Sequence, residues 1–118
     1  MAFPTGPGSE RIKYSALDDL TDTDQTLITG VALHIYTVIS IICCEQGNNS
    51  DTKLRMRITD SDGSANPCFL IYDQAVPAYG TFVFSDRFSF DGDKKLVIDT
   101  AGGANVDVFC TYIDQDWT

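Results

Sequence analysis

The stretch that most constrains this chain is Leu33 to Glu45, LHIYTVISIICCE. Its residues are mostly β-branched, aromatic or thiol-bearing, and it holds no Pro, no Gly and no residue charged at pH 7 before Glu45. Branched side chains pack well on a pleated surface and lose rotamer freedom in a helix, so the run reads as a strand. Strict alternation would put Leu33, Ile35, Ile39, Ile41 and Cys43 on one face and Tyr36, Val38, Ile42 and Cys44 on the other. Both faces are then largely apolar, whereas a strand of a small antiparallel sandwich needs only one buried face. The surplus asks for a cover. Two are open: a partner chain, or this chain's own N-terminal segment.

The rest of the chain keeps the same rhythm. Gln25 to Val31 is a candidate short strand ending at Gly30. Thr52 to Thr59 alternates cleanly, with Leu54, Met56 and Ile58 expected inside and Lys53, Arg55 and Arg57 outside. Further strands are expected at 68–72, 81–84, around Phe88 and Phe90, at 96–100 and at 105–113. Turn chemistry separates them: Gly47-Asn48-Asn49, Asp60-Ser61-Asp62-Gly63, Pro77-Ala78-Tyr79-Gly80, Asp91-Gly92-Asp93 and Gly102-Gly103. Short strands at this spacing predict an all-β chain, an antiparallel two-sheet, jelly-roll-like β-sandwich over 32–118. Residues 1–31, with Pro4, Gly6, Pro7 and Gly8 near their start, are expected as an extended arm with a short helical turn near Ser15 to Leu20. At 118 residues one domain is expected, large enough for a core without metal or disulfide staples.

The formal charge of −9 comes from 17 acidic and 8 basic residues, and 15 of the acids are Asp. Asp favours turns over helices, in keeping with an all-β chain. Such a balance repels phosphate and makes nucleic acid a poor partner. No apolar run approaches the roughly 20 residues that span a membrane, and no membrane partner is expected. The N-terminus has no signal-peptide pattern, so synthesis in a host cytoplasm is the default. Cys43, Cys44, Cys68 and Cys110 form no CxxC pair and read as reduced, buried thiols, with a bridge from Cys43 or Cys44 to Cys110 as the minor alternative.

No catalytic, cofactor or metal residue is assigned. Asp60-Ser61-Asp62-Gly63 opens like a calcium loop, but Phe69 stands where the bidentate Glu belongs, so it reads as a turn. His34 is the single histidine, no Gly-x-Ser-x-Gly elbow accompanies it, and a place on a sheet face is expected. Phe82, Phe84, Phe88 and Phe90 read as core. The candidates for partner binding are the arm's apolar anchors Phe3, Ile12 and Tyr14, Tyr36 on the doubly apolar strand, the basic stripe Lys53, Arg55 and Arg57, and Tyr79 and Trp117 in irregular segments. Aromatic residues dominate interface hot spots, and a basic stripe in an acidic chain could meet an acidic patch. The stripe could equally be a solvated face paired with local Asp.

From Ala32 onward the order of short motifs resembles small β-sandwich virion proteins of tailed bacteriophages. They are Ser40-Ile41 to Glu45, the TKLRMRI strand, Val76-Pro77-Ala78 before Thr81-Phe82-Val83-Phe84, Gly92-Asp93 before Leu96-Val97-Ile98, and Asn105-Val106-Asp107-Val108. The resemblance implies a structural role without catalysis: a capsid cement or decoration protein, partnered by the major capsid protein and by copies of itself, a homotrimer being one way to use the surplus apolar face. A tail- or fibre-associated connector, or a carbohydrate-binding module using Tyr79 and Trp117, is the alternative.

Overall fold

A computed structural model describes residues 8–63, 65–102 and 105–117. The strands are β1 (Ser9–Leu20), β2 (Gln25–Ile28), β3 (His34–Glu45), β4 (Lys53–Asp60), β5 (Cys68–Ala75), β6 (Thr81–Phe84), β7 (Phe88–Asp91), β8 (Lys94–Ala101) and β9 (Val106–Asp116). One sheet runs β1-β9-β3-β6, with β7 also on β3, and the other runs β2-β8-β4-β5. All pairings are antiparallel. Pairing β1 with β9, β2 with β8, β3 with β6 and β7, and β4 with β5 describes one long ribbon. Rolling it brings β9 against β3 and β8 against β4. That is the jelly roll, with β6 and β7 sharing the place of a single strand. It is the expected antiparallel two-sheet sandwich.

The N-terminal stretch departs from expectation. It is extended, but residues 9–20 form a strand laid along β9 and 25–28 form an edge strand of the second sheet. Both therefore belong to the sandwich, and the division into an arm over 1–31 and a body over 32–118 does not follow the sheets. No helical turn forms at Ser15 to Leu20. There Ser15, Ala16 and Leu17 pair with Cys110, Phe109 and Val108. The β9 ladder thus satisfies backbone groups that one isolated helical turn would leave open.

Strict alternation fails inside β3. Val38 lies opposite Tyr112 and Ser40 opposite Thr111, so Ile39 is an extra residue, a β-bulge. The parity of the strand flips there. Tyr36 and Val38 face the core before the bulge, and Ile41, Cys43 and Glu45 face it afterwards. Much of what alternation divides between two apolar faces is thus a single face whose phase changes at the bulge. These side chains meet Leu54, Met56, Leu96 and Ile98 of the other sheet across a core that also holds Leu20, Ile28, Val106, Val108 and Cys110. Fully burying a side chain such as Ile41 or Leu54 stabilises by about 1.5–3 kcal/mol. Phe82, Phe84 and Phe88 pack partly buried around this core and Phe90 is buried in it, as their spacing suggested.

At one end of the sandwich the β2–β3 connection crosses the β7–β8 turn at backbone contact. The Gly92 N–H donates to the His34 carbonyl at 2.9 Å. A Cβ on Gly92 would stand 1.7 Å from the Val31 carbonyl oxygen, and one on Gly30 would stand 2.0 Å from that of Lys94. Only glycine permits this crossing.

Candidate interaction surfaces

The outer face of the five-stranded sheet carries residues of opposite parity to the core. Register places them in cross-strand rows. Ile12, Ile113, Thr37 and Ser89 form one, Tyr14, Thr111 and Ser40 the next, and Ala16, Phe109, Ile42 and Val83 the third. None of these residues is charged. Ile12 is 76% exposed, Tyr14 68%, Val83 53%, Phe109 44% and Ile42 41%. The Tyr14 and Phe109 rings stack with centroids 5.1 Å apart. Beyond the rows lie Glu10, Gln115, Ile35 and Asp91 at one end and Asp107, Cys44 and Thr81 at the other.

The outer face of the four-stranded sheet is of another kind. Arg55 donates to Asp73 at 2.6 Å and lies 4.4 Å from the Tyr72 ring centroid. Arg57 donates to Asp24 at 2.6 Å, stands 3.7 Å from Asp99, and faces the Phe69 ring at 5.9 Å. The Arg55 guanidinium holds the Asp73 carboxyl below its usual value, and burial, then Asp24, pushes that of Asp99 up. Carboxylates of this same chain thus neutralise both arginines of the basic stripe. A docking acidic patch would have to displace them, so these two residues are bound up within the fold. Lys53 is exposed.

His34 opens β3, with Nδ1 2.8 Å from Asp114 and Nε2 3.3 Å from Asp116. Asp114, nearly buried, also accepts from Lys13 at 2.8 Å and holds its ammonium above the ordinary value. Ser9, Arg11, Lys13, His34, Asp114 and Asp116 line a cavity of about 110 Å³ there. Both ring nitrogens face carboxylates, whereas a triad histidine must turn one nitrogen to a nucleophile.

At the opposite end, the buried Glu45 carboxylate organises two loops. It accepts from the Asn49 N–H at 3.0 Å and the Tyr79 N–H at 3.2 Å. Burial pushes its carboxyl up, but the N–H groups of Asn49, Tyr79, Gly47 and Asn48 outweigh this and hold it below the usual value. Tyr79 is pinned in a left-handed conformation, φ 56°, with its ring exposed. The carboxylate of Asp60, in the loop that opens like a calcium site, bonds Lys94 and Asn66, and the Gly63 N–H donates to the Asp60 carbonyl at 3.3 Å. That is a turn.

The sequence candidates therefore scatter. Ile12 and Tyr14 share the uncharged face, though as strand residues. Tyr36 is 3% exposed and lies inside the core, where its hydroxyl accepts the Val31 N–H at 3.0 Å. It is not available to a partner; the flip at Ile39 put it there. Trp117 is half-buried, and its backbone N–H donates to the Leu33 carbonyl at 3.1 Å. It sits at the start of β3 and Tyr79 near its end, roughly 35 Å away along twelve residues. The two cannot stack on one sugar. Phe3 lies outside the described residues. Sequence reasoning missed Phe109 and Val83 as members of a surface; it places Ile42 on an apolar face in need of a cover. All four cysteines are free, but only Cys43 and Cys110 are buried; Cys44 and Cys68 are exposed, against expectation, because their strand positions face outward or lie at an edge.

No family model and no curated protein matches the sequence. Solved structures do match the fold. A chain of Bacillus endospore appendages, described as disulfide-linked pili, aligns over 100% of this chain and 97% of its own, with TM-score 0.54 and 13% identity. Two infectious bursal disease virus structures align as well. The VP2 subviral particle covers 90% of this chain with TM-score 0.54 at 9% identity, and the Gt strain covers 92% with TM-score 0.56 at 10%. This chain spans 32% of the length of each of those viral chains. The likeness is one of fold: the same β-sandwich serves in a pilus and in viral particles.

Proposed function

We propose that this chain is a non-enzymatic structural subunit of a virion, a cement or decoration protein at the capsid surface that holds subunits of the major capsid protein together. The uncharged apolar outer face of the five-stranded sheet carries this reading. A chain with 21% charged residues keeps three successive rows of that face free of charge. Exposed apolar patches of this kind mark interaction sites. Contacts of modest strength suffice in a shell, because many copies act together. The test is to purify particles from the host that makes the chain. Mass spectrometry and a particle map are expected to place it on the shell in many copies, and shells stripped of it are expected to open at lower temperature. Its absence from the shell, or shells equally stable without it, would sink the reading.

Two observations favour a second reading, a subunit of a tail, fibre or other filament. The alignment with the pilus chain spans nearly the whole of both chains, and two thiols are exposed. Density confined to a filament would select it.

A further inference from the structure

The first part of β1, from Ser9 to Ala16, is amphipathic in the reverse sense, before Leu17 and Leu20 turn to the core. Ile12, Tyr14 and Ala16 point outward, while Arg11, Lys13 and Ser15 share the parity of the core-facing Tyr112, Asp114 and Cys110. The Lys13–Asp114 bond at 2.8 Å fixes that parity. A strand in a free monomer gains by turning its apolar side inward; this stretch holds Ile12 and Tyr14 to solvent, continuous with Phe109, Ile42 and Val83. The face is built to be covered.

Charge decides by what. Four strands about 4.8 Å apart and three rows about 6.7 Å apart give a plane of roughly 400 Å². A standard interface buries about 800 Å² per partner. This face alone gives about half of that to any partner, a second copy or a different protein, so charge makes the choice. A second copy would bring together two chains of charge −9, each with acidic residues at both ends of the face: Glu10 and Asp91, and Asp107. Like charges across an interface are costly. A different surface profits from those same acids. The geometry points to a heterologous protein surface, an apolar ridge flanked on both sides by Lys or Arg about 25 Å apart, as the occupant of this face. The inference rests on the structural-subunit reading and names the partner chemistry of its docking face.

Two native thiols report on it. Cys44 lies at the rim of the face, in the row of Asp107 and Thr81, and Cys68 is exposed on the other sheet. Isotope-coded N-ethylmaleimide is applied to the free chain and to intact particles containing it. Both thiols are expected to label in the free chain. On particles Cys44 labelling is expected to fall at least tenfold while that of Cys68 persists. Loading onto stripped shells is expected to weaken as NaCl rises, less steeply for Glu10→Gln, and to be lost in Phe109→Glu and in Val83→Lys, each with an unchanged circular dichroism melt. Cys44 unreactive in the free chain, as a second copy or the chain's own first seven residues would make it, overturns the inference. So does salt that tightens loading. Cys44 that still labels on particles overturns the docking face and leaves the subunit reading standing; a chain found on no particle takes both.

Discussion

The bulge at Ile39 makes a claim that three substitutions can decide. Strict alternation groups Val38 with Ile42; the bulge groups Val38 with Ile41 and turns Ile42 to solvent. Val38 and Ile41 are 0% exposed and Ile42 is 41% exposed. Ile41→Ala removes side-chain carbons from a closed core, and such truncations cost about 2–5 kcal/mol, the transfer of the lost carbons plus the cavity they leave. Val38→Ala removes less and is expected to cost about 2 kcal/mol. Ile42→Ala removes carbons already partly in water and is expected to cost about 1 kcal/mol or less. The assay is urea denaturation by fluorescence, at a concentration where sedimentation shows a monomer, with the slopes compared to exclude a change in the unfolded state. Ile42→Ala costing as much as Ile41→Ala, with Val38→Ala nearly neutral, would refute the parity flip.

Gly92→Ala is expected to cost roughly 3 kcal/mol or more, because its Cβ would enter the Val31 carbonyl, whereas Gly63→Ala, with open space around it, should change the melt by less than about 0.5 kcal/mol. The Glu45 carboxyl is held below its ordinary 4.5, so its stabilisation is complete above that pH and is lost as pH falls through the folded value. Asp60 and Asp73, lowered by Lys94 and Arg55, add in the same direction, while Asp99, raised by burial, works against them. Urea midpoints between pH 7 and pH 3 should therefore fall on acidification, and Glu45→Gln should lower the midpoint at pH 7 and flatten the decline; an unchanged profile would remove Glu45 from its role. Burial pushes the Cys43 and Cys110 thiols up to about 12, so only Cys44 and Cys68 should react with Ellman's reagent until urea unfolds the chain; four fast thiols would contradict the core assignment.

Much of the fold was legible because the core strands follow simple patterns. TKLRMRIT alternates without interruption, and β4 lies at Lys53–Asp60 with Leu54 and Met56 fully buried, although Ile58 is only partly buried and Arg57, expected outside, is buried among its carboxylate partners. The strand β1 was hidden because SERIKYSA alternates with its apolar side outward and only Leu17 and Leu20, on either side of a register shift, turn to the core, so no regular core-facing pattern announces it. The bulge left a trace. The apolar parity of β3 runs through Tyr36 and Val38, then changes at Ser40 to Ile41 and Cys43. A parity change in a long strand is the signal that an extra residue sits there. The pairing of the basic stripe was not legible. Arg57 finds Asp24 from 33 residues away, and the choice among many Asp is made by sheet register.

The surplus apolar surface of Leu33 to Glu45 was reason to expect a cover, and the bulge withdraws half of that reason by sending Tyr36, Val38, Ile41 and Cys43 to one core. A face that calls for a cover nonetheless remains, built from other residues. Of β3, Ile42 is the one large apolar side chain left well exposed; the remainder comes from Ile12 and Tyr14 on β1, Phe109 on β9 and Val83 on β6. A single strand could not have declared this surface, since it exists only once register sets four strands side by side. The same register places the acids at its two ends. Charge and apolar area are thus segregated on one sheet by pairing alone, and that segregation, more than the greasiness of any one run, says what kind of neighbour the sheet can hold.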